Sequence, residues 1–246
     1  MITLPASLKI DRVEKGEKWL LDKSRAWVEK AGGDRSKETL LHASDCLDPR
    51  LAYFQRKYPK PIADRLIPIF LIGRVLHAFV INAVEGTVLN WDADGGSIVS
   101  KELGITYSPD MLIKGIPREI KTSRAFYEPR DIKDLSMYCE QLLIYMAGQN
   151  TTKGDLWVLF MNAKSDGQTS PAFRVYRVTI TPEDLKKVQA QIKGITKKFH
   201  LVQKSGKYRE LPMCRPFKCG PKQCVYWEKC KPEGRYPLKT QKAWEK

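Results

Sequence analysis

The protein has 246 residues, 42% of them apolar and 29% charged, which is enough chain and enough hydrophobic material for one folded domain with an appendage. Its 43 Lys and Arg against 28 Asp and Glu give a net charge of +15, an excess that favours a polyanion, either nucleic acid or an anionic membrane. The longest apolar run, Leu66 to Ile72, is broken by Pro68, so no bilayer span is expected; six cysteines without a signal-like start point to a reducing, cytoplasmic setting where clustered thiols bind metal.

In chain order, Leu8 to Glu29 carries Lys, Glu, Leu and Trp at helical spacing and is stopped by Gly32-Gly33. Asp45 to Phe54 reads as a short helix capped by Ser44, with His42 a packed or partly exposed histidine rather than a ligand. Ile69 to Val84 is a buried helix beginning near Pro68, with Gly73 and His77 on one face. Thr87 to Trp91 reads as a strand, followed by a turn at Asp92-Ala93-Asp94-Gly95-Gly96. That turn has an Asp-x-Asp-Gly fragment but lacks the glutamate of a calcium loop, since Leu103 stands in its place. Ile98 to Ile105 and Met111 to Ile113 supply further strand material.

The stretch Ile105 to Arg124 carries the chemistry. Asp110 precedes the run Met111-Leu112-Ile113, a turn is expected at Lys114-Gly115-Ile116-Pro117-Arg118, and Glu119-Ile120-Lys121 follows. Alternation in a strand points Glu119 and Lys121 one way and Ile120 the other. A hairpin brings Asp110 beside Glu119, two carboxylates that need a cation between them, and hard oxygen ligands suit Mg²⁺ or Mn²⁺. The neighbouring lysine is placed to orient a water or stabilise a pentacovalent phosphate.

Leu135 to Ala147 is a compact helix in which Gln141 and Tyr145 share a face with Tyr138, and Cys139 is a small buried hydrophobe. Leu156 to Met161 and Phe173 to Ile180 are strands joined by a polar loop, and Thr181-Pro182-Glu183-Asp184 starts a helix expected to end near His200. Residues 201–246 hold 12 Lys and Arg against 4 Asp and Glu, and include Cys214-x4-Cys219-x4-Cys224-x5-Cys230. Four local thiolates would satisfy a structural Zn²⁺; three of them with the distant Cys46 would suit a [4Fe–4S] cluster.

The order His77, Asp110, Glu119-x-Lys121, Gln141-x3-Tyr145, framed by one early cysteine and a late cysteine group, resembles the RecB-like PD-(D/E)xK nucleases with an iron–sulfur cluster, above all the CRISPR-associated Cas-four exonuclease family. Gly73 and His77 fit the family's Gly-x3-His, Cys46 followed by Arg50-Leu51-Ala52-Tyr53 fits its first cluster cysteine, and Cys224-x5-Cys230 fits its last pair. The family's second cysteine stands three positions before the third; here Cys219 and Cys214 are the alternatives, Cys219 closing the shorter loop. Ser108-Pro109-Asp110 also replaces the more usual Gly-x-x-Asp.

The resemblance implies an α/β restriction-endonuclease-like core at 67–200, a central mixed sheet flanked by helices, with an N-terminal helical lobe at 1–66 and an iron–sulfur lobe at 201–246. It implies that His77, Asp110, Glu119 and the Ile120 carbonyl bind the catalytic Mg²⁺ or Mn²⁺, that Lys121 assists the attacking water, and that Gln141 and Tyr145 position DNA. The implied activity is exonuclease cleavage of single-stranded DNA ends, either in CRISPR spacer acquisition beside an integrase complex or as a free-standing or phage-encoded repair or recombination nuclease. A zinc-stabilised nucleic-acid-binding protein without catalysis is the rival reading.

Overall fold

The computed structural model of the protein describes residues 14–32, 39–83, 97–123, 135–165, 168–215, 218–220 and 224–230. The expected strand at Thr87–Trp91, the turn at 92–96, the start of the first helix, Gly33 and everything beyond Cys230 lie outside the described residues.

The N-terminal part is helical. Helix α1 (Glu14–Gly32) is followed by the two-residue strand β1 (Leu41–His42), then α2 (Ala43–Leu47), α3 (Pro49–Lys57) and the apolar α4 (Ile67–Ala83). The cap of α2 is His42 rather than Ser44: His42 Nδ1 accepts from the Ser44 N–H at 3.3 Å, and Asp45 reaches back to the His42 N–H at 3.3 Å. This reciprocal arrangement is a capping box in which an imidazole nitrogen does the work of a hydroxyl. Pro49 then opens α3, where its missing N–H costs nothing.

Strands β2 (Ile98–Ser100) and β3 (Ile105–Tyr107) join β1 in a three-stranded sheet of order β1-β3-β2. Strands β4 (Met111–Ile113), β5 (Ile116–Ser123), β6 (Lys153–Ser165) and β7 (Gln168–Thr179) form a second, mixed sheet in that order, with β5 and β6 parallel and the other pairs antiparallel. The single central sheet expected from the sequence is therefore two. Ser108-Pro109-Asp110 separates them, and a proline has no N–H to continue a ladder.

The expected hairpin is present, with a tighter turn. Lys114 (φ 51°) and Gly115 (φ 74°) alone make it, both left-handed as a two-residue type I′ turn requires. Ile116, Pro117 and Arg118 already belong to β5. Pro117 is tolerated because it pairs only with Leu112 of β4; pairing with β6 begins at Arg118. The β6–β7 strands are also longer than expected and absorb most of the segment read as a polar loop.

Helix α5 (Ser136–Gly148) is apolar on all sides because it is buried on both. Leu142 and Met146 pack on Leu156, Val158 and Phe160 of the mixed sheet, while Ile144, Tyr145 and Ala147 face the cluster formed by β1, β3, α2 and α6. Contact is close enough that a Cβ on Gly148 would lie 2.7 Å from the Tyr107 ring. Helix α6 (Pro182–Ser205) begins as expected, with Thr181 Oγ1 accepting from the Asp184 N–H at 3.1 Å. It runs past His200 because Phe199 and Val202 continue its buried stripe, and Gly206 at φ 74° ends it.

The tail returns to the N-terminal helices through protein contacts. Arg50, itself buried, donates to the Leu211 and Arg209 carbonyls, and buried Asp48 holds Arg215 and Lys218 at 2.7 and 2.8 Å. The Tyr226 hydroxyl donates to the Tyr58 carbonyl, placing the short helix α7 (Trp227–Cys230) beside α3. One apolar cluster consequently extends from Leu41 to Cys230. Among the described residues no helix is long and apolar enough to cross a membrane.

Candidate functional site

The β4–β5 hairpin positions the acidic pair. Met111 opposite Arg118 puts Asp110, one residue earlier, opposite Glu119. The Ile120 N–H donates to Asp110 Oδ2 at 2.7 Å, which fixes that carboxylate against the strand. The Ile120 side chain points to the other face and packs with Met111 and with Val80 of α4. That packing pins α4 to the hairpin, and His77 of the same helix brings Nδ1 to 3.4 Å from Asp110 Oδ1. Glu119 and Lys121 share the face that α5 covers, paired with Leu156 and Val158, and the Lys121 ammonium donates to Glu119 Oε1.

Glu119 is 1% exposed, and its Oε2 has no hydrogen-bond partner among the described residues. Its carboxyl lies within hydrogen-bonding reach of Asp110. Burial first, and the Asp110 charge second, push the Glu119 carboxyl up to about 8 despite Lys121. Burial also acts upward on Asp110, but His77, Lys121 and the Ile120 N–H outweigh it and hold that carboxyl below its ordinary value. Burial likewise opposes the Lys121 charge, yet Glu119 and Asp110 win and raise its pKa. The three form one unit: an ionised Asp110, an ammonium, and a Glu119 that keeps its proton through neutrality.

Gln141 and Tyr145 meet each other, Nε2 to hydroxyl at 2.6 Å. Tyr145 is 2% exposed and tilted against Tyr107 at 6.2 Å, so its ring is core, and its hydroxyl accepts from Gln141. The α5 phenol that acts on Lys121 is Tyr138. Its signal in the sequence was its place on one helix face with Gln141 and Tyr145, three and seven residues earlier.

Cys46, Cys214 and Cys230 are buried, and Cys219 and Cys224 half-buried. Cys219 and Cys224 lie close enough to Cys214, and Cys224 to Cys230, to act on those thiols electrostatically, but among the described residues the cysteines form no group placed to hold a metal ion. Cys46 belongs to the same apolar cluster as Cys230, but the charges acting on its thiol are Asp45 and Arg56. Burial pushes Cys46 and Cys214 up to about 12, while Arg50 beside Cys230 works against the rise that burial causes there.

No protein-family model and no curated protein matches the chain. Solved structures that resemble it include two of one enzyme. The alkaline exonuclease LHK-Exo from Laribacter hongkongensis is 16% identical, with 76% of this chain and 97% of that one covered at a TM-score of 0.42. LHK-Exo in complex with dAMP is 15% identical, with 69% and 92% covered at the same TM-score of 0.42. A likeness of that order assigns no residue a role here.

Chemically, two facing carboxylates can share a proton or a cation, and Glu119 Oε2 is the oxygen left over for either. Oxygen donors of this kind fit a hard divalent ion. Among the described residues no three His, Cys, Asp or Glu side chains form a group that could hold a metal ion; His77 faces Asp110 and Lys121 faces Glu119. A divalent cation held by Asp110 and Glu119 would require Glu119 to give up its proton.

Proposed function

We propose that the protein is a metal-dependent nuclease that hydrolyses DNA phosphodiesters from single-stranded ends. The observation that carries this reading is Glu119, a fully buried carboxyl set against a second carboxylate and a lysine. Desolvating such a group without a ligand to complete it is expensive, and sites of this kind are functional more often than structural. Asp110, Glu119, His77 and the Ile120 carbonyl would hold Mg²⁺ or Mn²⁺, which supplies Lewis-acid activation of water and neutralises charge building on phosphate. Asp110, ionised and oriented by the Ile120 N–H, is the fixed anchor. Lys121, its pKa raised, stays protonated and therefore acts as a cationic donor toward the attacking water and the phosphate oxygens, not as a base. The net charge of +15 supports a polyanionic substrate.

The fold reading that goes with this is a restriction-endonuclease-like core, and the cysteine spacing supports a [4Fe–4S] cluster on Cys46, Cys224, Cys230 and either Cys219 or Cys214. The motif order supports trimming of DNA beside a CRISPR integrase complex, and equally a free-standing or phage-encoded repair or recombination nuclease. Because His77 and Lys121 already engage the two acids, a zinc-stabilised DNA-binding protein without catalysis is the second reading. Degradation of end-labelled single-stranded DNA in Mg²⁺ or Mn²⁺, compared with Asp110→Ala and Lys121→Ala, separates the two. The proposal expects cleavage that chelator abolishes and both substitutions remove; cleavage undiminished in both, or none in the wild type, supports the second reading.

A further inference from the structure

We infer that a cationic ledge built by α3, α7 and the turn after α6 grips the phosphate backbone of a single nucleic-acid strand. The inference rests on the proposal that DNA is the substrate and names residues outside the carboxylate pair. Lys229 Nζ lies 3.7 Å from the centroid of the Tyr58 ring, and Lys57 Nζ lies 5.7 Å from the same ring. Lys57 is further fixed by the Tyr53 hydroxyl at 3.0 Å. Lys60 Nζ sits 5.4 Å from the Tyr226 ring and donates to the Val225 carbonyl at 2.9 Å. The rings beneath are a packed unit: Tyr58 stacks on Phe54 at 6.2 Å and Phe54 on Tyr226 at 5.8 Å.

Two ammoniums over one phenol repel each other, and the aromatic faces offset only part of that repulsion. All three lysines are exposed, and none has a carboxylate partner among the described residues. A phosphodiester between them relieves the repulsion by the most direct route. Beside the ledge lies a shallow depression of about 450 Å³ lined by Gly206 to Glu210, where the Tyr208 hydroxyl donates to the Cys230 carbonyl at 3.2 Å and Lys207 adds a further cation. Lys229 lies over the Tyr58 ring, so the contact is with phosphate rather than with stacked bases, and binding is indifferent to sequence.

The test is fluorescence anisotropy of a labelled oligothymidylate with the full chain in EDTA, so that no cleavage is required. The variants are Lys57→Ala/Lys60→Ala/Lys229→Ala, Lys60→Ala alone, and a charge-matched Lys186→Ala/Lys187→Ala/Lys193→Ala on α6. With each phosphate contact adding roughly 0.7 to the log–log salt slope on a single strand, the ledge triple should flatten that slope by about 2 and weaken binding at least ~10-fold near ~0.1 M salt. Lys60→Ala should flatten it by about 0.7, and the α6 triple should leave it nearly unchanged. Equal losses in both triples, or an unchanged slope in the ledge variants, overturn the inference. So does a ledge triple that keeps its DNA affinity while losing adsorption to phosphatidylserine vesicles. An inactive enzyme that still binds through the ledge would sink the nuclease reading and leave this one standing.

Discussion

Glu119→Gln should stabilise the metal-free protein while removing its activity. A glutamine keeps the shape and can reproduce the protonated acid: its carbonyl accepts from Lys121 and its amide donates to Asp110. What it removes is the need to bind a proton. Between the ordinary carboxyl value of 4.5 and about 8, folded Glu119 carries a proton that the unfolded chain has lost, so wild-type stability falls as pH rises through that window. At ~1.4 kcal/mol per pH unit the accumulated penalty near pH 8 is on the order of 4 kcal/mol, with sharing of the proton with Asp110 as the main discount. The variant should escape this fall, so its advantage should be small near pH 5 and largest near pH 8. For a chain of this size ~4 kcal/mol corresponds to a melting point about 10 °C higher. Urea titrations of both proteins at several pH values with EDTA present give the comparison directly. A wild type whose stability is flat across the window, or a variant no more stable at pH 8 than the wild type, would refute the account of Glu119 as a buried, mispaired acid.

Asp48→Asn removes the charge that buried Asp48 offers to Arg215 and Lys218 and should destabilise by roughly 3 kcal/mol, with faster proteolysis after Arg209. Burial opposes its charge but Arg215 and Lys218 prevail and lower the Asp48 pKa, so the contribution is present above the ordinary carboxyl value and fades as pH falls through the lowered one; the gap between variant and wild type should narrow in acid. Gly148→Ala forces a methyl to 2.7 Å from the Tyr107 ring and should lower stability by about 1–3 kcal/mol in thermal melts. Cys46→Ser should remove the visible absorption of anaerobically purified protein if Cys46 ligates iron, and should leave the metal content untouched if the four later thiols hold Zn²⁺ alone.

What was readable in the sequence was local. The hairpin announced itself through the Gly and Pro between two apolar runs, and with it the meeting of Asp110, Glu119 and Lys121; the two-residue turn that fixes the register was not legible, because Ile116, Pro117 and Arg118 read as turn rather than strand. The cap at Thr181 followed from its own four residues. His77 could be suspected as an imidazole on an apolar helix, but its approach to Asp110 depends on Ile120 and Val80 packing across the sheet. The long-range pairs carried no sequence signal. Asp48 with Arg215 and Arg50 with Leu211 join segments that only the folded core brings together. The burial of Tyr145 was hidden for the same reason: helical spacing said which face it shares with Gln141, while its packing against Tyr107 was decided by the second sheet, where the sequence had suggested only one.

The most direct measurement is calorimetric titration of Mn²⁺ into the wild type, Asp110→Asn and Glu119→Gln, repeated at pH 7 in buffers of different ionisation enthalpy. If the two carboxylates are the seat of a divalent cation, the ion binds the wild type with release of close to one proton, because Glu119 enters the titration protonated. Both substitutions then abolish that binding and that release. Identical Mn²⁺ binding in all three proteins, or binding with no proton released, would contradict the claim that this buried acidic pair is where the metal goes.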